Sequence, residues 1–322
     1  MMEEEKKKNN RVLLVLDVSN FEHVVLNSAC STWAPKHKED SSIIKSAKDT
    51  DQDNLPNLLT FDSFVRVLHK EVQDRLESLN WIAKSHHQDE IDVADGIDVV
   101  FTEDSPVSEN FRRKLYPEYK AQRSLLKYSF NKPVIKAYIQ DVIFKELDIE
   151  NRLGYRTIKV QGCESDDIIA VLMNNYRNYS CRILVSSDRD FLQLEDVNQY
   201  DMWGQKVEFH VKNHEEYKLE PREFLYWKIV NGDTSDNIKH VFPKCGDVKS
   251  YRLVKDRTTL KRMLMENQEA AERFMLNKKL IDFREIPKEM SDRILKAIEE
   301  KLGTPSQKEE VAKFSAESCL TI

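Results

Sequence analysis

V-L-L-V-L-D-V, Val12 to Val18, is the stretch on which the reading of the fold turns: five consecutive apolar residues, β-branched or leucine, followed by Asp17. A strand covered on both faces reads as an unbroken apolar run, whereas a half-solvated one alternates, so this segment predicts a central strand of a parallel sheet. Ile97–Phe101, Tyr155–Val160 and Arg182–Val185 repeat the pattern. Between these strands the spacing is helical: Phe61–Lys84 places Phe64, Val65, Leu68, Val72, Leu76 and Leu79 on one face, Val134–Leu147 follows, and Ser165–Asn175 opens on a Ser-Asp start signal. Strand-helix alternation predicts an α/β fold, a mostly parallel central sheet flanked by helices on both faces.

Farther out the signals change. Met1–Asn10 is a charged block expected to lie disordered outside the fold, and Cys30–Asn57 is polar and reads as a surface insertion without chemistry. Val207–Val211 suggests a short hairpin, after which Glu220–Asn231, Tyr251–Glu266, Glu269–Phe283 and Lys288–Lys301 all carry helical periodicity. The predicted organisation is therefore residues 1–10 as a disordered N-terminus, 11–219 as an α/β domain, 220–302 as a C-terminal helical lobe and 303–322 as a tail.

With 322 residues, 40% hydrophobic and 33% charged, the chain can bury a full core and has the balance of a soluble, helix-rich protein. Five single cysteines without a C-x-x-C pair argue against a disulfide framework or a structural zinc site, and no apolar run is long enough to span a bilayer. A cytoplasmic location is the expectation. The net charge of −6 speaks against a polyanionic partner, yet its distribution does not. From Phe111 to Lys136 stand Arg112, Arg113, Lys114, Lys120, Arg123, Lys127, Lys132 and Lys136 against Glu118 alone, a local charge of about +7. Phe111, Tyr116, Tyr119, Tyr128 and Phe130 are interleaved with them, as on a surface that tracks a phosphate backbone and stacks on bases. A solvated amphipathic helix is the plainer reading of the same stretch.

Each predicted strand ends in acid. Asp17 closes the first, Glu103-Asp104 the second, Glu164 follows the third and Asp188 the fourth. Open parallel sheets place their sites at the carboxyl ends of strands, so these acids are expected to converge. Alone, any of them is more simply a turn residue or a helix cap. Glu164-Ser165-Asp166-Asp167 opens a helix, Asp188-x-Asp190 leaves a strand, and Asp233-x-x-Asp236 sets two carboxylates on one helical turn. Nine carboxylates in one crevice would suppress one another's ionisation unless cations were present. The candidate metal ligands are thus Asp17, Asp104, Glu164, Asp166, Asp167, Asp188, Asp190, Asp233 and Asp236. Oxygen donors without Cys or His select Mg²⁺, with Mn²⁺ as substitute, and a pair of such ions serves phosphoryl chemistry. The eight histidines, His86-His87 among them, show no metal-ligand spacing and read as surface or structural. A D-x-D phosphatase, a phosphohydrolase for small substrates and a catalytically silent nucleic-acid-binding protein remain alternatives at this level.

L-D-V-S-N (Leu16–Asn20), F-T-E-D (Phe101–Asp104), F-R-R-K-L-Y-P-E-Y-K-A-Q-R (Phe111–Arg123), G-C-E-S-D-D-I-I-A (Gly162–Ala170), S-S-D-R-D-F (Ser186–Phe191) and G-D-T-S-D-N (Gly232–Asn237) occur in this order. Collinear and spread over residues 11–300, these blocks resemble the 5′-nuclease (flap endonuclease) superfamily, and within it most closely the T-even bacteriophage ribonuclease H branch. The Leu280–Pro287 block supports that placement. The resemblance implies a PIN-like core with a helical arch over the site at about residues 105–136. It implies two Mg²⁺ ions on the nine acids, with Asp233 and Asp236 supporting the second, and Arg112 and Lys120 as catalytic cations. Arg113, Lys114, Tyr119, Arg123 and Lys127 are implied to bind nucleic acid. The implied activity is metal-dependent 5′-3′ exonuclease and flap endonuclease cleavage with ribonuclease H activity, removing RNA primers and adjacent DNA in replication. The substrates would be RNA–DNA hybrid and duplex DNA with a 5′ end or flap, the enzyme a monomer, its partners a single-stranded-DNA-binding protein and a sliding clamp. Two departures stand out: Pro106–Asn110 lacks the lysine that many relatives have ahead of the arginine, leaving Arg113 or Lys114 to supply that charge. Ile238–Gly246 replaces the glycine-rich turn that supports a potassium-bridged duplex contact.

Overall fold

The computed structural model describes residues 9–46, 55–106, 109–122, 130–151, 154–211 and 217–303. Five parallel strands, β1 (Asn9–Asp17), β2 (Ile97–Glu103), β3 (Tyr155–Lys159), β4 (Tyr179–Val185) and β5 (Asn198–Tyr200), form one sheet in the order β3-β2-β1-β4-β5. β1 starts at Asn9, inside the block expected to be disordered, because its end pairs with Tyr179 of β4. β5 has no apolar run of its own and is a strand only because β4 supplies its partner.

The first helices are α1 (Val18–Trp33), α2 (Lys38–Ser46), α3 (Asp62–Asp92), α4 (Phe111–Leu115), α5 (Lys132–Tyr138), α6 (Phe144–Glu146) and α7 (Ser165–Asn175). The central strand shows why both faces are covered. Val12, Leu14 and Leu16 point into a core with Phe21 and Val25 of α1 and Leu68 and Val72 of α3. Leu13 and Val15 point the other way, into a core with Ile168, Ile169 and Leu172 of α7. Alternation of Cβ direction along an all-apolar strand thus feeds two cores.

Three expectations are corrected. The region 30–57 is not a bare surface insertion: α1 runs to Trp33, which is fully buried against Phe61 and Phe64 and donates its indole N–H to Ser63 Oγ at 2.9 Å. α2 follows, and residues 47–54 lie outside the described part. The helix expected over Tyr251–Glu266 is two, because Asp256 accepts the Thr259 N–H at 3.0 Å and starts a new one. The remaining helices are therefore α8 (Pro221–Asn231), α9 (Asp247–Lys255), α10 (Arg257–Glu266), α11 (Gln268–Ile281) and α12 (Lys288–Leu302). Helices α8 to α11 share a core of their own around Ile229, Val230, Leu260 and Phe274. α12 does not join it: Ile294 and Ile298 are buried in the core under α7, so the last helix of the expected lobe covers the sheet instead.

What positions the site is the seam between these cores. Gln193, after β4, donates to the Ile281 carbonyl at 3.2 Å and accepts from the Phe283 N–H at 3.1 Å, fastening the end of α11 to the carboxyl edge of the sheet. Among the described residues no helix is long and apolar enough to cross a membrane.

Candidate active site

Strand register brings the first acids together. Asp17 sits beside Thr102 of β2, and Leu16 beside Val185 of β4, so the ends of three strands are level. Asp17 caps α1, accepting the Asn20 N–H at 3.2 Å, and also accepts from the hydroxyls of Ser186 at 2.9 Å and Ser165 at 3.3 Å. Asp104 accepts the Ser165 N–H at 2.8 Å and the Ser19 hydroxyl. Asp188 caps the turn Arg189–Gln193 through the Asp190 N–H at 2.8 Å. Asn20 and Ser187 exchange two hydrogen bonds of 2.7 and 3.1 Å, which tie the start of α1 to the end of β4.

Hydroxyls and amides orient these carboxyls but do not neutralise them. Burial, reinforced by the charges of Asp104 and Asp188, pushes the Asp17 carboxyl up to about 7. Burial, then Asp188 and Asp17, pushes Asp166 well above the usual carboxylate range. Four acids from three strand ends and one helix start thus share one field.

The neighbouring half of the crevice is compensated by the chain's own cations. Glu164, at the start of α7, accepts from Lys120 Nζ at 2.5 Å, Tyr119 Oη at 3.0 Å and Arg112 Nη1 at 3.4 Å. Burial would raise its carboxyl, but Lys120 and Arg112 hold it below the usual value. The Tyr119 hydroxyl also lies 3.2 Å from Asp236 Oδ2, sharing its one proton between the two carboxylates, and Lys120 Nζ lies 3.8 Å from the same carboxylate. Asp190, Asp233 and Asp236 bring carboxylate oxygens within 4.8 Å of one another. Between two of them stands Lys228, buried in the last turn of α8, its ammonium paired with Asp190 and 2.9 Å from Asp233. Burial is again outweighed here, Lys228 and Ser235 lowering Asp233 to about 2. The turn bearing Asp233 and Asp236 depends on Gly232, whose φ is +69° and whose place a Cβ would share with the Ile238 carbonyl oxygen at 2.5 Å.

Eight of the nine sequence-predicted acids therefore meet along one crevice. Asp167 stands aside: it accepts the Glu164 N–H at 3.0 Å to close a capping box and takes Arg112 on both oxygens, at 2.8 and 3.1 Å. Arg112, expected as a catalytic cation, is buried in that fork, donates further to the Leu280 carbonyl at 2.8 Å and packs over the Phe111 ring. Tyr119, expected on a stacking surface, is buried with its hydroxyl inside the acid network and has no face for a base. Lys120 likewise points into the crevice, not across an outer surface. Arg113 is half-buried, its Nε on the Tyr119 carbonyl at 3.2 Å, and Lys114 is exposed. Arg123 and Lys127 lie outside the described residues, and the described part of the expected arch shows two short helices, α4 and α5. Lys228 and the serines were missing from the sequence reading; Ser19, Ser165 and Ser186 could have been found as the hydroxyl neighbours inside each acidic block, whereas nothing local marks Lys228.

The donor set fits a hard divalent cation. It consists of carboxylate and hydroxyl oxygens, and among the described residues buried Asp17 and exposed Asp104 are held by serines and backbone amides, with no lysine or arginine hydrogen bond.

Residues 72–220 match the family model of the 5′-3′ exonuclease N-terminal resolvase-like domain. The 5′-3′ exonuclease of Buchnera aphidicola subsp. Schizaphis graminum is 32% identical over 156 residues, 47% of this chain and 50% of that one. That of Bacillus subtilis is 31% identical over 163 residues, 49% and 52%. The chain spans about half the length of these curated relatives. Among solved structures, T5 5′-exonuclease with zinc bound superposes with a TM-score of 0.55 at 16% identity, covering 92% of this chain and all 100% of that one. The T5 D15 flap endonuclease, in a complex with DNA and metal ions, gives 0.54 at 16% identity, covering 90% and 99%. At these identities the structures speak for the fold.

Proposed function

We propose that this chain, whose residues 72–220 match the 5′-3′ exonuclease N-terminal resolvase-like domain, hydrolyses phosphodiester bonds near 5′ ends with divalent metal ions held in the acidic crevice. The observation that carries the reading is the division of that crevice. Around Asp17 and Asp166, burial and the neighbouring Asp104 and Asp188 raise the carboxyls, whereas Glu164, Asp190, Asp233 and Asp236 form a half balanced by Lys120 and Lys228. The first four would hold one ion and Asp190, Asp233 and Asp236 a second, Mg²⁺ being the natural occupant of oxygen donors and Mn²⁺ a substitute. When bound, such ions supply an activated water and neutralise charge on the scissile phosphate.

The chain's own residues do the rest. Ser19, Ser165, Ser186 and Asn20 aim the strand-end carboxylates before any ligand arrives, so little reorganisation accompanies binding. Arg112 fixes the start of α7, and with it the direction of Glu164 and Asp166, by its fork on Asp167. Lys120 reaches the crevice from a backbone at φ +55°, its N–H on the Asp236 carbonyl at 3.0 Å, and is the cation placed to meet a phosphate there.

The finer reading is removal of RNA primers and adjacent DNA during replication, with RNA–DNA hybrid, nicked duplex and 5′ flaps as substrates. Its partners would be a single-strand-binding protein and a sliding clamp, and its setting the cytoplasm. It is supported by the likeness to 5′-3′ exonucleases and to DNA polymerase I of Mycobacterium tuberculosis, 30% identical over 169 residues, half (50%) of this chain and 18% of that one. The test is to incubate 5′-labelled hybrid, nicked duplex and flap substrates with wild type and Asp188→Asn, with Mg²⁺ or with EDTA. Cleavage confined to wild type with Mg²⁺ is expected, with product lengths ranking the substrates. Equal cleavage by the variant, or any in EDTA, would overturn the mechanism.

A further inference from the structure

Away from the crevice, α3 breaks its helical path at one residue. His87 has φ −136° and ψ 36°, inside an otherwise continuous helix of 31 residues. Such kinks have local causes, and here the effect is specific: His87 is turned inward, 7% exposed, against β4 and β5. There it meets Cys181 of β4 and its own helix neighbour Glu90, and donor atoms of the three lie within 4.8 Å of one another.

Their surroundings resemble those that prepare ligands. The His87 Nε2 atom lies 3.0 Å from the Tyr200 hydroxyl, an outer partner that orients the ring, while Nδ1 faces Glu90 Oε1 at 3.4 Å. Asn198 directs its side-chain N–H at Cys181 Sγ, 3.7 Å away, the kind of contact that favours a thiolate. The Glu90 side chain is 47% exposed, which leaves a way in from solvent. Donors of three kinds, sulfur, nitrogen and oxygen, do not suit Mg²⁺; they suit the borderline cations of the zinc class.

We propose that His87, Glu90 and Cys181 form a second cation site, for zinc-class ions, which clips the kink of α3 to strand β4. The site is independent of the nuclease reading. Cation binding replaces the Sγ–H bond of Cys181 by a sulfur–metal bond, and the proton leaves to solvent. Burial and the charge of Glu90 push that thiol up to about 11, so the thiolate forms only when a cation takes the proton's place.

The test is titration of the full chain with Co²⁺ in excess Mg²⁺, reading the thiolate-to-cobalt charge-transfer absorption. One thiolate-bearing Co²⁺ per chain is expected, the band surviving in Asp188→Asn and absent in Cys181→Ser. Glu90→Gln, at an exposed position that the fold tolerates, should weaken binding by about 10- to 100-fold. Zn²⁺ at one equivalent should raise the thermal midpoint of wild type in Mg²⁺ but not that of Cys181→Ser. The proposal is overturned by absence of the band in wild type, by its persistence in Cys181→Ser, or by unchanged affinity in Glu90→Gln. If Cys181→Ser does not fold, the Glu90→Gln titration and the wild-type midpoint decide alone.

Discussion

Replacing Lys228 by Met keeps the length of the side chain and removes the ammonium that Asp190 and Asp233 share. Asp233 lies at about 2 instead of its ordinary 3.8 although burial pushes the other way, and Lys228 is the largest of the effects that lower it. At about 1.4 kcal/mol per pH unit that gap alone is about 2 kcal/mol. Leaving two half-buried carboxylates without their cation adds to it, so a loss of about 3–5 kcal/mol is expected in EDTA at neutral pH. For a chain of this size that lowers the thermal midpoint by about 6–20 °C. The sign follows from the depressed folded-state value: the stabilisation is complete above the ordinary 3.8 and fades as pH falls through about 2, so the variant's deficit should shrink under acid. Mg²⁺ should also shrink it, because an ion among Asp190, Asp233 and Asp236 supplies the missing charge. Thermal unfolding of both proteins in EDTA and in Mg²⁺ measures this. Equal midpoints in EDTA would refute the view that Lys228 holds these acids together, and a deficit indifferent to Mg²⁺ would refute their assignment to a cation.

Gly232→Ala would place a Cβ 2.5 Å from the Ile238 carbonyl oxygen at a φ of +69°, at a cost of about 1–3 kcal/mol; the turn must shift, so calorimetry should show weaker divalent binding, and wild-type affinity would count against the turn's role in placing Asp233 and Asp236. Asp17 lies at about 7 against an ordinary 3.8, a raised value, so its ionisation opposes folding increasingly between those pH values and fully above them. In EDTA the stability of the wild type should therefore decline from about pH 4 to about pH 7, and Asp17→Asn should flatten the decline, denaturant melts across that range being the measurement; an unchanged slope would remove Asp17 as its source.

Local sequence carried a good deal of this. An unbroken apolar run at Val12–Leu16 needs cover on both sides, and the parallel sheet with two cores is the only way the chain provides it. The acids after each strand were legible for the same reason: where a parallel strand stops is where its next side chain must go. Helix spacing gave α7 to the residue, because Glu164 and Asp167 make a capping box that is written locally. Long-range contacts decided the remainder. β5 exists through β4, and α12 belongs to the sheet because Ile294 and Ile298 find α7 there, which periodicity cannot say since an apolar stripe does not name its partner. Arg112, Tyr119 and Lys120 read as an outward basic surface, yet folding turns all three onto Glu164, Asp167 and Asp236, at least 44 residues away. Lys228 sits in a helix whose sequence shows only a cation among apolar neighbours. Composition records which charges a chain has; which of them meet is settled by packing, since the energy of a buried pair depends on distances that exist only once the elements have docked.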